Sequence, residues 1–499
     1  MKLELKDIIK SYEAIKKRGF KSYTEGDLEK SFEYIEQTVG FVQQFNWMYT
    51  DDDLEQLLIN ISSQKLLPPQ NYSPHPNRVV LFDDWCTSYV LALQYIEALS
   101  LTYEEVLYIT GKDVISMAYK NILGNLTLYK NVEVVVIPQI SNPFERSQLI
   151  LDTIVDFRPS KLFLHIGYNS PISLALYALP SAIDRYLINL SDQTFWLGVK
   201  GIDYTLEFRP FGTTVSYERR GLNKEQLLYL PFYPVRDGNS FQGFPKQTKD
   251  KVVIFSGGDF YKTLDPEYTY WGLVRDLLNE NPEAIFLYAT KNVMGKTKEF
   301  LDTFISTNHF EDRFMNIGFR PDIDEVLLHC DIFMGTCPVC GSLTSQLAAT
   351  NSKPILQYYL PNTYDDETEQ AICHNLELQI SFTDKRKFLD EANRLIQDEH
   401  YRELQGSRVH QAMFTREQFN QRLKEVVSNN YSPSPMKAID YNITAERWWW
   451  CEKLGFYNTI QLMFGLLGKK TYLKMFPFIA YKYYSFKLVK KLNYLVKGK

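Results

Sequence analysis

The sequence predicts an α/β protein made of two successive doubly wound units, with helical segments at both ends. Three observations predict it. Short apolar runs alternate with stretches of helical period, and each run is continuously apolar instead of alternating. That is the mark of parallel strands covered on both faces. The pattern then occurs twice, and a Pro- and Gly-rich stretch between Leu230 and Lys249 separates the two occurrences. The 499 residues, 45% hydrophobic and 23% charged, leave room for about two to four domains and argue against disorder.

Residues 1–70 read as a helical N-terminal segment. Ile8, Tyr12 and Ile15 recur at helical spacing, as do Phe32, Ile35, Val39 and Val42, and Asp51-Asp52-Asp53 marks a helix start before Leu54, Leu57 and Leu58. Pro68-Pro69 to Pro76 breaks the chain. The first α/β unit, 71–240, has strands at Arg78–Phe82, Glu105–Ile109, Val132–Ile137, Lys161–His165 and Arg185–Leu190. Helices are expected at Ser88–Leu99, Val114–Leu123 and Phe144–Phe157. Pro231, Pro234, Gly238, Gly243 and Pro245 read as an interdomain linker. The second unit, 250–425, has strands at Lys251–Phe255, Ala284–Tyr288, Phe314–Ile317, Asp331–Met334 and Pro354–Gln357. Its helices fall at Tyr268–Asn279, Thr297–Ile305, Ile323–Leu328 and Leu343–Thr350. Residues 426–499 form a helical C-terminal segment.

The net charge of -5 argues against nucleic acid as a partner. Six cysteines in this length do not make a disulfide scaffold. The Cys337-Pro-Val-Cys340 spacing lacks a second pair, and Cys330, Cys373, His329 and His374 add only a weak zinc reading. No stretch approaches about eighteen apolar residues, and the N-terminus lacks an apolar h-region, so a cytoplasmic protein is expected. The tail is different. From Lys469 to Lys499 it carries nine lysines and no acidic residue, interleaved with Tyr472, Phe476, Phe478, Tyr481 and Tyr483. With Leu473, Met475 and Ile479 it reads as an interfacial helix meeting anionic lipid, a peripheral membrane contact. Packing of the tail onto the first unit is the alternative.

Two Rossmann-like units joined by one linker set two carboxyl-end crevices face to face, which suits transfer between two substrates. The first unit has Phe82-Asp83-Asp84-Trp85 after its first strand and no G-x-G-x-x-G, which disfavours a dinucleotide. No P-loop is present. The second unit carries the phosphate signals. Ser256-Gly257-Gly258-Asp259 lets backbone N–H groups approach an anion, and Lys262 can add a point charge. An ordinary strand-to-helix turn is the alternative. Gly341-Ser342-Leu343-Thr344 sets small and hydroxyl residues at a helix N-terminus, suited to a diphosphate or simply to N-capping by Ser342.

These residues resemble the donor half of GT-B glycosyltransferases, most closely the O-GlcNAc-transferase-related group. Tyr261-Lys262-Thr263-Leu264-Asp265-Pro266 with Trp271 resembles that group's Tyr-Lys-x-x-Pro loop. Asp331-Ile-Phe-Met-Gly-Thr-Cys-Pro338 followed by Gly341-Ser-Leu-Thr344 resembles its strand, Pro turn and helix start. The resemblance implies that Lys262, Ser342 and Thr344 contact the donor pyrophosphate and that Phe319 and Arg320 border the base; Gly257, Gly258 and Gly341 are the donor-binding glycines read from the residues themselves. Two positions depart from the group: Ser342 stands in place of His, and Leu347 in place of a ribose-binding carboxylate. In the first unit, Asp192-Gln-Thr-Phe-Trp-Leu-Gly198 resembles an Asp-His-x-Phe-Trp-Leu-Gly segment of some bacterial glycosyltransferases, with Gln193 for His. Asp203 and Arg209 match its following Asp and Arg.

Glycosyl transfer needs a base for the acceptor hydroxyl and a stabiliser for the leaving diphosphate. Asp51 and Asp53 have D-x-D spacing but lie in the helical N-terminal segment. A metal-free site using Lys262 and the Gly341 helix start is therefore expected, with no cofactor beyond a UDP-linked sugar as co-substrate. Candidate bases end strands of the first unit: His165, Asp83 or Asp84, and Asp192; a structural role is the alternative for His165, and a capping or turn role for the aspartates. The expected function is a glycosyltransferase acting, with inversion, on a glycan, lipid-linked glycan or protein hydroxyl. The alternatives are a non-catalytic GT-B-like partner subunit and a sugar-nucleotide 2-epimerase.

Overall fold

The computed structural model describes residues 5–45, 47–84, 89–111, 124–167, 172–235, 239–265, 267–291, 295–361, 366–439, 465 and 467–477. The chain begins with three helices, α1 Leu5–Thr24, α2 Leu28–Phe45 and α3 Asp52–Lys65. Asp51 caps α3 as its position predicts, its carboxylate accepting the Leu54 N–H at 2.9 Å. The apolar stripes read from the sequence are buried together, with Ile8, Ile15, Val42, Leu54 and Ile61 fully so. They share one core with a face of the first sheet, through Val80, Phe82, Leu162 and Leu164.

The first sheet contains β1 His75–Asp83, β2 Glu105–Thr110, β3 Val132–Val136, β4 Pro159–His165, β5 Asp184–Ile188, β6 Tyr204–Glu207 and β7 Leu227–Tyr229. Its spatial order is β3-β2-β1-β4-β5-β6-β7, and all its pairs are parallel. Helices α4 Tyr89–Thr102, α5 Pro143–Phe157, α6 Ile172–Ala178 and α7 Pro210–Glu218 accompany it. The last two strands were not expected: with four and three residues they are too short for a periodic signal. The fifth strand ends at Ile188, short of Leu190. The helix expected at Val114–Leu123 lies outside the described residues, as do the turns at Trp85-Cys86-Thr87 and Tyr168-Asn169-Ser170.

The second sheet contains β8 Val252–Gly257, β9 Ala284–Ala289, β10 Phe314–Asn316, β11 Ile332–Met334, β12 Ile355–Tyr358 and the two-residue edge strand β13 Ser381–Phe382, also unexpected. Its order is β10-β9-β8-β11-β12-β13, again all parallel. Its helices are α8 Thr269–Glu280, α9 Gly295–Asn308, α10 Ile323–His329, α11 Ser342–Thr350, α12 Glu367–Ile372, α13 Lys385–Gln397 and α14 Glu399–Ala412.

The two halves are tied by more than the linker. Helix α15, Arg416–Asn429, packs Phe419, Leu423 and Val426 into the core of the first unit, and Arg416 grips Glu97 of α4 through two 2.6 Å bonds. The Tyr229 hydroxyl at the end of β7 lies 3.2 Å from Nδ1 of His374, which follows α12. Helix α16, Lys469–Met475, returns to the N-terminal helices: Arg18 donates to the Leu467 carbonyl and to the Thr471 hydroxyl, and Tyr472 and Phe476 are buried in the first core. This corrects the interfacial reading at Phe476, whose ring is enclosed by protein and not offered to lipid. Lys470, Leu473 and Lys474 remain exposed. Phe478, Ile479 and the lysines from Lys482 onward lie outside the described residues. No helix among the described residues is long and apolar enough to cross a membrane.

The segment after β5 is held from several sides. Glu55 of α3 accepts N–H groups from Gly198, Val199 at 3.1 Å and Lys200 at 3.4 Å, together with the Tyr177 hydroxyl. The Tyr49 carbonyl accepts the Trp196 N–H, and Arg220 donates to the carbonyls of Asp192 and Thr194 at 2.7 and 2.8 Å. Phe195, Trp196 and Leu197 are consequently core residues.

Glu55→Ala strands the buried Gly198 N–H and three half-buried donors and is expected to destabilise the protein by about 3 kcal/mol, read as a lower urea midpoint with unchanged slope. Burial pushes His374 down from 6.5 to about 4, against the opposing effect of its bond to the Ala371 carbonyl. The folded protein therefore binds fewer protons than the unfolded chain between these values. Stability should fall as pH drops from about 6.5 toward 4. Thermal melts across that window should show the slope, and His374→Asn should flatten it.

Candidate active site at the carboxyl ends of the two sheets

In each sheet the chain builds outward from the first strand, then crosses back to its other side. The switch points fall between β1 and β4, and between β8 and β11. At such a point the loops leaving the carboxyl ends diverge and open a crevice. Most of the residues singled out in the sequence lie at these two places.

In the first sheet Asp83 and His165 are register partners at the ends of β1 and β4. Nδ1 of His165 lies 2.9 Å from one carboxylate oxygen of Asp83, and the Tyr108 hydroxyl donates to the other at 2.7 Å. Both side chains are buried. An ionised Asp83 can only accept, so this contact favours the tautomer with its proton on Nδ1. Asp84 donates its backbone N–H to the His165 carbonyl at 3.0 Å and sets its side chain beside Gly111 and Arg146. The structure thus joins His165 and Asp83 into one unit and leaves Asp84 next to it.

Asp192 lies elsewhere, past the end of β5. It is fully buried, and both oxygens are held by Arg209 at 2.6 and 2.8 Å. Its carboxylate is engaged as a counter-ion, not placed to take a proton. Beside it Glu207, also fully buried, accepts two bonds from the Asn189 amide and one from Ser216. Burial raises the Glu207 carboxyl above the usual range despite these bonds. Asp203 pairs with Arg185.

In the second sheet a cavity of about 290 Å³ opens at the ends of β8 and β9, lined by Gly257, Gly258, Lys262, Phe319, Arg320 and Thr344 from the expected set. The glycines are required here. A Cβ on Gly257 would stand 3.1 Å from the Ala289 carbonyl oxygen, and Gly258 has φ +150°. Lys262 sits in a single 3₁₀ turn, Phe260–Thr263, whose position is set by the Val339 N–H donating to the Lys262 carbonyl at 3.3 Å. Its ammonium is 3.9 Å from where a Gly341 Cβ would be, and the Thr344 hydroxyl is 3.7 Å from the same point. Gly341, not Ser342, is the N-cap of α11, and no side chain caps this helix. Its first-turn N–H groups and dipole therefore face the same place as the Lys262 ammonium. Ser342 is the first helical residue.

Phe319 is 61% exposed, following Gly318 at φ +70°, and the Lys291 ammonium lies 4.9 Å from its ring centre. Arg320 is engaged differently: it chelates Asp322 at 2.7 and 2.6 Å and donates to the Gly243 carbonyl, holding the linker to this loop. Leu347 is buried among apolar neighbours. Lys291 and Thr290 were missed from the sequence, although they follow an apolar strand directly, the same signal that drew attention to Gly257. Cys330, Cys337 and Cys340 are buried free thiols, and no metal-ligand cluster occurs among the described residues.

Neither a protein-family model nor a curated protein matches the sequence. Solved structures do match it. A Thermobaculum terrenum O-GlcNAc transferase mutant aligns with a TM-score of 0.53 and 12% identity, over 88% of this chain and 83% of its own. Anabaena HepE in complex with UDP and glucose gives 0.51 and 13%, over 70% of this chain and 99% of its own. A Listeria monocytogenes protein assigned as a UDP-N-acetylglucosamine 2-epimerase gives 0.51 and 10%, over 73% and 100%. With two parallel sheets of seven and six strands and flanking helices, the chain has the GT-B fold.

Proposed function

We propose that this protein is a metal-independent glycosyltransferase that moves a sugar from a UDP-linked donor to a hydroxyl of a glycan, lipid-linked glycan or protein. The observation that carries the reading is the convergence of Lys262 and the uncapped N-terminus of α11 on one cavity edge. A leaving diphosphate gains charge as the glycosidic bond breaks, and an ammonium beside aligned N–H groups stabilises that charge without rearrangement. Phe319 offers a face for the base, and Lys291 a second cation near it. Leu343 of α11 packs against the core of the first unit, so this helix start lies where the two units meet.

The acceptor would bind on the first unit, near β1 and β4. His165 Nε2 takes the hydroxyl proton as the acceptor oxygen bonds to the anomeric carbon. The bond from that carbon to the diphosphate oxygen breaks, and its electron pair leaves with the nucleotide. Asp83 holds the imidazole and stabilises its protonated form. One displacement of this kind inverts the anomeric centre. The protein of 2-epimerase assignment shares the fold to the same degree as HepE, so donor conversion without any acceptor is the outcome that would favour the second reading.

Calorimetry with UDP, GDP and CMP tests the donor site. UDP should bind the wild type, and Lys262→Ala should weaken it about 10- to 100-fold. His165→Gln should leave UDP affinity unchanged while lowering transfer or donor hydrolysis by about 10² to 10⁴. A wild type that binds none of the three nucleotides, or a Lys262→Ala protein that binds them equally well, would overturn the proposal.

A further inference from the structure

Arg209 is a buried charge that reaches from the first unit toward the second. It follows β6 and is 4% exposed. Two of its nitrogens hold Asp192 of the first unit. The third, Nη1, points to the second unit, 3.9 Å from a carboxylate oxygen of Glu367 at the start of α12, and makes no hydrogen bond there. That same Glu367 oxygen accepts the Cys340 thiol at 2.8 Å. Cys340 immediately precedes Gly341, the cap of α11. The turn after Arg209 docks on the same helix, with the Phe211 N–H donating to Gln370 at 2.9 Å. Gly212 permits the close approach of α7 to the buried carboxylates, since a Cβ there would stand 2.5 Å from a Glu207 oxygen. A series of contacts therefore runs from the Asp192–Arg209 ion pair, across the 3.9 Å approach to Glu367, and by the Cys340 thiol hydrogen bond to the helix start beside Lys262.

Burial opposes the Arg209 charge, and attraction to Asp192 and then Glu367 more than offsets it. A guanidinium fixed this way has a set position relative to the first unit, and it constrains where Glu367 can rest. We propose that Arg209 is a positioning residue, which sets the diphosphate-binding turn of the second unit according to how the first unit is seated against it. This rests on the donor-site reading above. Arg209 itself touches no donor atom and acts through Glu367 and Cys340.

The test uses the full chain and two probes, UDP and UMP, by calorimetry, with melting temperature recorded for every variant. Cys340→Ala removes the donor to Glu367 and should weaken UDP about tenfold while changing UMP by less than about twofold, because the β-phosphate is what the turn holds. Cys340→Ser keeps a donor and should restore UDP binding. Arg209→Lys keeps the charge, cannot chelate Asp192 and reach Glu367 together, and should repeat the selective UDP loss. If Arg209→Lys does not fold, the Cys340 pair decides. Equal weakening of UDP and UMP would mean a merely structural role and would overturn the proposal, as would undiminished UDP binding in folded Cys340→Ala. A wild type that binds no UDP would remove the donor site itself, and the coupling with it.

Discussion

The architecture depends on one constraint, the point in each parallel sheet where the chain reverses its direction of growth. β8 is hydrogen-bonded to β9 on one side and β11 on the other. The loop leaving β8 carries Lys262, and the loop leaving β11 carries Cys340 and Gly341. Sheet pairing therefore brings an ammonium and a helix N-terminus together although about eighty residues separate them in sequence. The same constraint in the first sheet makes Asp83 and His165 register partners. No side-chain attraction is needed to assemble either pair; strand order does it, and the cores beneath hold it.

A cluster of buried charge lies past the ends of β5 and β6 and at the start of α12. Asp192, Glu207, Arg209, Arg220 and Glu367 are all withdrawn from water, which carries a desolvation cost that pairing must meet. Apolar residues of similar volume would stabilise such a region at least as well. Ion pairs specify geometry, because a carboxylate held by two guanidinium nitrogens admits one orientation. The segment from Asp192 to Lys200, gripped by Glu55, Tyr49, Arg209 and Arg220, is accordingly a rigid buttress under the first unit's side of the cleft. Its resemblance to a glycosyltransferase motif is carried by residues that mainly fold inward.

Much of this was legible in the sequence for a definite reason. Parallel strands buried on both faces must be continuously apolar, so Val79–Phe82 and Ile254–Phe255 announce themselves. The strands at Tyr204, Leu227 and Ser381 do not, since edge strands of two to four residues need no such run. Lys262 and Gly341 could be found because glycines and hydroxyls after a strand are local signals. The Arg209–Glu367 approach could not, because nothing local links residues 158 positions apart that meet only when both units are folded. At Tyr472 and Phe476 the tail takes the packed alternative, because a basic aromatic helix has the same composition whether its rings face lipid or a neighbouring core. Tyr472 and Phe476 are buried in the core that α1 shares, and Arg18 of α1 donates to the Leu467 carbonyl just before the helix.

The most direct test of the central claim is a crystal structure of the protein soaked with UDP. Density for the diphosphate is expected between the Lys262 ammonium and the backbone N–H groups of Ser342 to Thr344, with the base at Phe319. Nucleotide density at any other place on the molecule, with that corner occupied by water alone, would contradict it.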